Sequence, residues 1–203
     1  MGILPNLGGP KESIRRVYLG VVRSIALYGA PMWSTDLMAS RRSISLLHKV
    51  QRRLAIRVVR GYRTISFEAA TLLSRLPPFE LLAEADAEAY FSVRRARQGG
   101  GVSAGVTVEA RRQARLRALD KWHTWLFSPR YVHKPVVEAV LPNFWDWLDR
   151  GHASLTFRLT QVLTGHGCFG EYLHGIGREA TAVCHHCGHG EDTAQHTLEF
   201  CPA

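Results

Sequence analysis

Apolar positions recur at helical spacing along most of the chain, and alternating runs that would mark strands are scarce. Ile14, Val17, Tyr18, Val21, Val22 and Ile25 fall at i, i+3, i+4, i+7, i+8 and i+11, which predicts a buried amphipathic helix over about 11–28. Gly29-Ala30-Pro31 should end it. A second helix fits about 40–60, with Ile44, Leu47, Val50, Leu54 and Val58 as its apolar stripe. Ser66 is placed to cap a short third helix to Leu73. Pro77-Pro78 opens a longer one to about Gln98, with Glu80 and Glu84 near its start and Arg94, Arg95 and Arg97 near its end, both favourable to the helix dipole. Gly99-Gly100-Gly101 stops that helix, and the stretch to Gly105 is the candidate linker. Further helices fit about 107–127 and 152–164. Residues 1–10 are turn-rich, and five glycines between Gly165 and Gly177 make a loop-rich approach to the C-terminal end. The fold class is therefore mainly α, a helical bundle followed by a small C-terminal module.

Hydrophobic residues make up 46% of the 203, so a core can form and wholesale disorder is excluded. The net charge is +9, and it is unevenly placed. Residues 1–65 hold 12 Lys or Arg against Glu12 and Asp36, whereas residues 66–203 hold 14 Lys or Arg against 15 Asp or Glu. The positive excess of the first third suits a polyanion, most simply nucleic acid. At about 100° per residue, Arg42, Lys49, Arg53, Arg57 and Arg60 fall within about 80° of one another, on a face adjacent to the apolar stripe of the second helix. They form the candidate phosphate-contacting surface; the plain alternative is a solvated helix face. Trp122, Trp125, Phe127, Phe144, Trp145 and Trp147 lie near basic residues and would stack on bases or, more ordinarily, fill a core. No apolar signal region occupies the N-terminus, and the run Val17–Trp33 is short and interrupted by Arg23, so a nuclear or cytoplasmic, unsecreted protein without a membrane span is expected.

The chemistry concentrates at the end of the chain. Cys184, Cys187, His196 and Cys201 are spaced C-x2-C-x8-H-x4-C. A C-x2-C turn aims two sulfurs at one ion, Gly188 lets the backbone turn, and a short helix over Thr193–Phe200 would bring the last two ligands in from the other side. Three thiolates and one imidazole fill a tetrahedron with no open position, which describes a structural zinc site. His185, His186 and His189 are nearby alternatives to His196, and the spacing favours His196. Cys168, in Gly167-Cys168-Phe169, lacks an orienting partner and reads as a buried thiol rather than a nucleophile. Asp146 and Asp149 read as the polar surface of a helix over aromatic side chains. No catalytic residue is assigned. There is no Asp-Asp pair, P-loop, G-x-S-x-G or H-E-x-x-H motif.

Four ordered patterns carry a resemblance. Leu4-Pro5-Asn6-Leu7-Gly8-Gly9-Pro10 and Leu27-Tyr28-Gly29-Ala30-Pro31-Met32-Trp33 are followed by Leu163-Thr164-Gly165-His166-Gly167-Cys168-Phe169 and then by the cysteine cluster. Together they resemble the region downstream of the polymerase palm in insect non-LTR retrotransposons, particularly the type I elements that insert into ribosomal DNA. The resemblance implies a thumb over residues 1–65, a helical connector over 66–180 and a zinc knuckle over 181–203. It also implies that the chain is a piece of a longer reverse transcriptase polyprotein, that its partners are RNA template, target DNA and the rest of that polyprotein, and that the catalytic aspartates and the endonuclease lie elsewhere. Two other readings stay open at this point: a stand-alone zinc-knuckle protein that binds nucleic acid, and a structural zinc module that binds another protein.

Overall fold

The computed structural model describes residues 9–99, 103–150 and 155–203. The opening Leu4–Gly8 pattern, the centre of the Gly99–Gly105 linker and the start of the helix expected over 152–164 lie outside the described residues. Within them the chain is helical, with no β-strand and one isolated antiparallel bridge, Val183–Glu191.

Helix α1 spans Glu12–Ala26, α2 Ala30–Ala39 and α3 Arg41–Val59. The first and third form where the apolar spacing places them; α3 sets Leu47, Leu54 and Val58 of its expected stripe against the core, whereas α1 is turned about its axis from the expected orientation. On α1 the buried residues are Arg15 and Leu19, while Ile14 (55% exposed), Val17 (68%), Val21 (55%) and Ile25 (72%) point outward. The expectation of a buried apolar face on this helix is thus corrected. The side chain beneath is Arg15, fully buried, with Nε donating to the Pro10 carbonyl and Nη1 to that of Arg57. A guanidinium whose donors are met by backbone carbonyls holds this contact where an apolar stripe was expected. Gly29, at φ +68°, does end one helical segment, but Pro31 in the next first turn starts α2 at once.

On α3 the core side is Gln51, Ala55, Ile56, Val58 and Val59, and Val50 of the expected stripe is 52% exposed. Gln51 is fully buried, and its amide joins two elements. Nε2 donates to the Pro77 carbonyl at 2.8 Å, and Oε1 accepts from the Phe79 amide at 2.8 Å. The helix that Pro77-Pro78 opens has no cap of its own, so Gln51 supplies one from a neighbouring helix.

Helix α4 (Phe67–Ser74) is capped by Ser66, whose hydroxyl accepts from the Ala69 amide. Helix α5 (Phe79–Gln98) and α6 (Ala104–Leu126) then form an antiparallel hairpin. Ala85 and Ala89 meet Ala114 and Ala118, small residues that let the two backbones approach. Short helices α7 (Pro135–Val140) and α8 (Phe144–Asp149), joined by a 3-10 turn, close over α4. Helix α9 (Phe157–Thr164) and α10 (Gly170–Gly175) lead to the cysteine cluster.

One core gathers Ala55, Ile65, Leu72 and Leu73 with Trp122, Leu126, Val137 and Phe144. A second joins Leu19, Leu27 and Ala30 to Val58, Phe79 and Leu82. Side chains from both sides of residues 99–105 therefore share one interior. Most of the aromatics read as core do pack there: Trp122 and Phe144 are buried edge-to-face at 5.4 Å, and Trp147 Nε1 donates to the Leu72 carbonyl. Phe127 and Trp145 are exposed.

Candidate functional site

The metal-ligand set comes together as its spacing requires. A small hairpin forms as the Cys184 amide donates to the Gly190 carbonyl (3.1 Å) and the Asp192 amide to that of Ala182 (2.7 Å). Within it the Gly188 amide closes a turn onto the Cys184 carbonyl, and Gly188 sits at φ +71°, a conformation a side chain would strain. One wide π-helical turn, His196–Phe200, then returns the last two ligands. One ligand atom from each of Cys184, Cys187, His196 and Cys201 lies within 4.8 Å of the others. Cys184 and Cys201 sulfurs are 3.9 Å apart, and Cys187 Sγ is 3.3 Å from His196 Nε2. Bonds of about 2.0–2.3 Å to one tetrahedral ion separate ligand atoms by roughly 3.3–3.8 Å, so the four residues fit a metal ion.

The electrostatics agree with that fit. Amides of Cys187 and His186 aimed at the buried Cys184 sulfur pull its thiol down to about 6. The Ala203 amide pulls Cys201 the same way, but burial and the sulfurs of Cys184 and Cys187 outweigh it and raise the Cys201 thiol. A Cys201 thiol raised by the sulfurs crowded against it is what a shared cation would relieve. His185 is held elsewhere: its Nε2 lies 2.5 Å from Glu179, whose carboxylate raises the imidazole's pKa.

Asp192 was given no role by sequence reasoning, and it fastens the cluster to the helices. It is buried, its Oδ2 accepts from the Gly170 amide at 2.8 Å, and its Oδ1 accepts from the Thr197 hydroxyl. A carboxylate at the first amide of α10 both caps that helix and holds the π turn. A Cβ on Gly170 would stand 3.0 Å from Asp192, so glycine is what permits the approach. Tyr172 of α10 reaches back to Thr64 Oγ1 (3.0 Å) and to the ring of Tyr62 (6.1 Å), just beyond the end of α3. The pairing is between residues about a hundred positions apart, and nothing local in the sequence signals it.

The basic residues of α3 lie mostly on its solvent side. Arg42, Lys49, Arg53 and Arg57 are exposed and Arg60 is half-buried, its guanidinium donating to the Pro10 carbonyl. They stand roughly half a turn from Gln51, Ala55 and Val58, with the buried Ile56 between them and the core. Among the described residues no carboxylate pairs with Arg42, Lys49 or Arg53. Arg52, Arg53, Arg57 and Arg63 line a cleft beside Gly61, and Arg52 is fixed there by donating to the Ile65 and Arg63 carbonyls.

Cys168 is exposed, which corrects the expectation of a buried thiol; the neighbouring Phe169 is the buried residue. His166 turns to the Thr164 carbonyl and the Tyr172 ring, so the pair forms no nucleophile and base. Asp146 and Asp149 are exposed on α8, as read. No helix among the described residues is long and apolar enough to cross a membrane.

No protein-family model and no solved structure matches the chain. Three curated proteins do. A Pol polyprotein from a type-1 retrotransposable element of Nasonia vitripennis is 28% identical over 95% of the chain, and one from Bradysia coprophila is 30% identical over 92%. A 115 kDa protein of a type-1 element of Drosophila melanogaster is 25% identical over 93%. The chain spans 49% of the length of the first of these and 19% of each of the others. Ordered motifs, helical architecture and near full-length similarity thus agree: this chain is similar, from end to end, to a segment of the proteins encoded by type-1 retrotransposable elements.

Proposed function

We propose that the chain is the nucleic-acid-gripping, non-catalytic segment of a retrotransposon reverse transcriptase polyprotein. In this reading residues 1–65 act as a thumb, 66–180 as a helical connector and 181–203 as a zinc knuckle. The segment holds template RNA or target DNA during target-primed reverse transcription, inside the nucleus or cytoplasm. Polymerase and endonuclease chemistry belong to other parts of the polyprotein.

The observation that carries the reading is the outward row Arg42, Lys49 and Arg53, without carboxylate partners among the described residues and directed away from the core. The Tyr62–Tyr172 contact ties the end of this helix to the segment that carries the cysteine cluster, so two candidate contact surfaces sit on one framework. Zinc is the metal that suits three thiolates and an imidazole, and when bound it cross-links the hairpin to the π turn. Cys184, Cys187, His196 and Cys201 would hold it.

Binding of a labelled RNA–DNA hybrid duplex, followed against salt, tests the reading. Lys49→Ala with Arg53→Ala should weaken binding and flatten the slope of log K against log salt by about 0.9 for each lost duplex contact. An unchanged slope returns this face to plain solvation.

A second reading, a zinc-stabilised protein-interaction module, is favoured by one observation. The outer face of α1, continued by Tyr28 (86% exposed) and Met32 (83%), is apolar and uncovered. It predicts no nucleic-acid affinity even with the metal in place.

A further inference from the structure

The α5–α6 hairpin pairs its charges at one end and not at the other. Near the base, Lys121 Nζ lies 2.7 Å from Glu84 and Arg117 Nη2 lies 2.8 Å from Glu88. These pairs define the register of two antiparallel helices: residue 84 faces 121, and 88 faces 117. Toward the end of the hairpin next to residues 99–103, the charged side chains include Arg94 on α5 and Arg111 on α6. Both residues line one cleft of about 440 Å³, together with Arg97, Tyr90 and Asp86, over a floor of Ala89 and Val93. Among the described residues no carboxylate forms an ion pair with Arg94, Arg97 or Arg111. Asp86 is the cleft's one acid, and it is shared. Burial raises its carboxyl, while Arg23, Arg111 and Arg115 pull it the other way.

Cations gathered around one cleft favour an anion among them. Guanidinium groups present planar forks of N–H donors that match a phosphate. Beside them the Tyr90 ring is 48% exposed and held edge-on by Phe91 at 5.3 Å, which leaves a face open for a planar partner.

We propose that this cleft is a second nucleotide-binding site, distinct from the α3 face, in which Arg94, Arg97 and Arg111 hold a phosphate of a single strand and Tyr90 stacks its base. It rests on the reading that the chain binds nucleic acid and adds the class of contact: single-stranded and stacked, where the α3 row offers charge alone.

The full chain, loaded with zinc, is titrated against a fluorescently labelled 12-nucleotide oligothymidylate, with thymidine monophosphate and inorganic phosphate as competitors. Arg94→Ala with Arg111→Ala should weaken single-strand binding about tenfold and lower the salt slope by about 0.7 for each lost phosphate contact. Tyr90→Ala should lower affinity for the single strand and spare that for duplex. The thermal midpoint and far-ultraviolet circular dichroism of the double arginine variant are measured alongside, so that lost binding is separated from lost folding. Single-strand affinity that stays with both variants while Lys49→Ala with Arg53→Ala loses it would overturn the cleft and leave the wider reading standing. Absence of all strand binding by the unaltered chain would overturn both. Thymidine monophosphate bound with the same arginine dependence, in the absence of strand binding, would likewise overturn the strand-binding proposal and point to a free nucleotide instead.

Discussion

Cys187 sits between a turn and a neighbouring ligand: its sulfur is 3.3 Å from His196 Nε2 and accepts from the His189 amide. Replacing it leaves three ligands on a cation that needs four. Cys187→Ser should abolish stoichiometric zinc, measured by atomic emission on the purified chain; unchanged metal content would refute the ligand set. Lys134 and Glu68 give a second prediction. Burial alone would raise the Glu68 carboxyl, but the Lys134 ammonium, donating at 2.5 Å, together with its own backbone amide and the Ser66 hydroxyl, holds the carboxyl below its ordinary value. A lowered folded-state pKa contributes stability that is fully present above the ordinary glutamate value, about 4.3, and is lost as pH falls through the folded value. Lys134→Met removes the partner and leaves the burial. It should cost roughly 1–2 kcal/mol at pH 7, discounted for the partial exposure of the lysine. The deficit should shrink as pH approaches 4 and Glu68 takes up a proton, a trend that urea midpoints at the two pH values will show. A deficit that grows toward pH 4 would mean that the pair does not govern the carboxyl.

At the scale of single elements, α1 separates periodicity from burial. Its apolar stripe and its core side are different faces: Leu19 is 7% exposed and Ile25 72%. Leu19→Ala should lose about 2–3 kcal/mol of stability, because it opens a cavity among Leu27, Val58 and Phe79. Ile25→Ala should change stability by less than about 0.5 kcal/mol. Chemical denaturation of the two variants decides it, and equal losses would place the outer face in a core. The α3–α5 junction behaves in the same way. A glutamine in the middle of a helix reads as a solvated position, yet Gln51 is fully buried because the Pro77-Pro78 start of α5 leaves an amide and a carbonyl that need a partner.

At the scale of the molecule, the cysteine cluster meets α10 through Asp192, which accepts from the Gly170 amide and lies in neither large core, and Tyr172 of α10 reaches Thr64 and Tyr62. The two large cores contain none of the four metal-ligand residues. Removing zinc with a chelator should therefore unfold the C-terminal module and leave most of the helical signal, seen as small loss in far-ultraviolet circular dichroism with large change in cysteine reactivity. Collapse of the helical signal on chelation would show that the module supports the bundle.

The long helices, the Ser66 cap and the grouping of Cys184, Cys187, His196 and Cys201 were legible in the sequence, since each depends on residues close in the chain, whereas α2, α7 and α10 were not. Spacing of 3.6 residues, serine before a helix, proline at its start and a C-x2-C turn are local physics. The face that α1 buries and the polar side chains buried under α1 and α3 were not legible. Like Asp192, they depend on what distant segments offer: carbonyls of Pro10 and Arg57 for Arg15, a proline-opened helix for Gln51, an amide of Gly170 for Asp192. The meeting of Arg94 and Arg111 on one cleft likewise arises only when α5 and α6 fold back on each other. Local sequence thus determined where the long helices form and which four residues could gather around a metal ion. Tertiary structure decided which charges stand unpaired and which apolar surface stays open, because burial is a property of neighbours brought together by the fold.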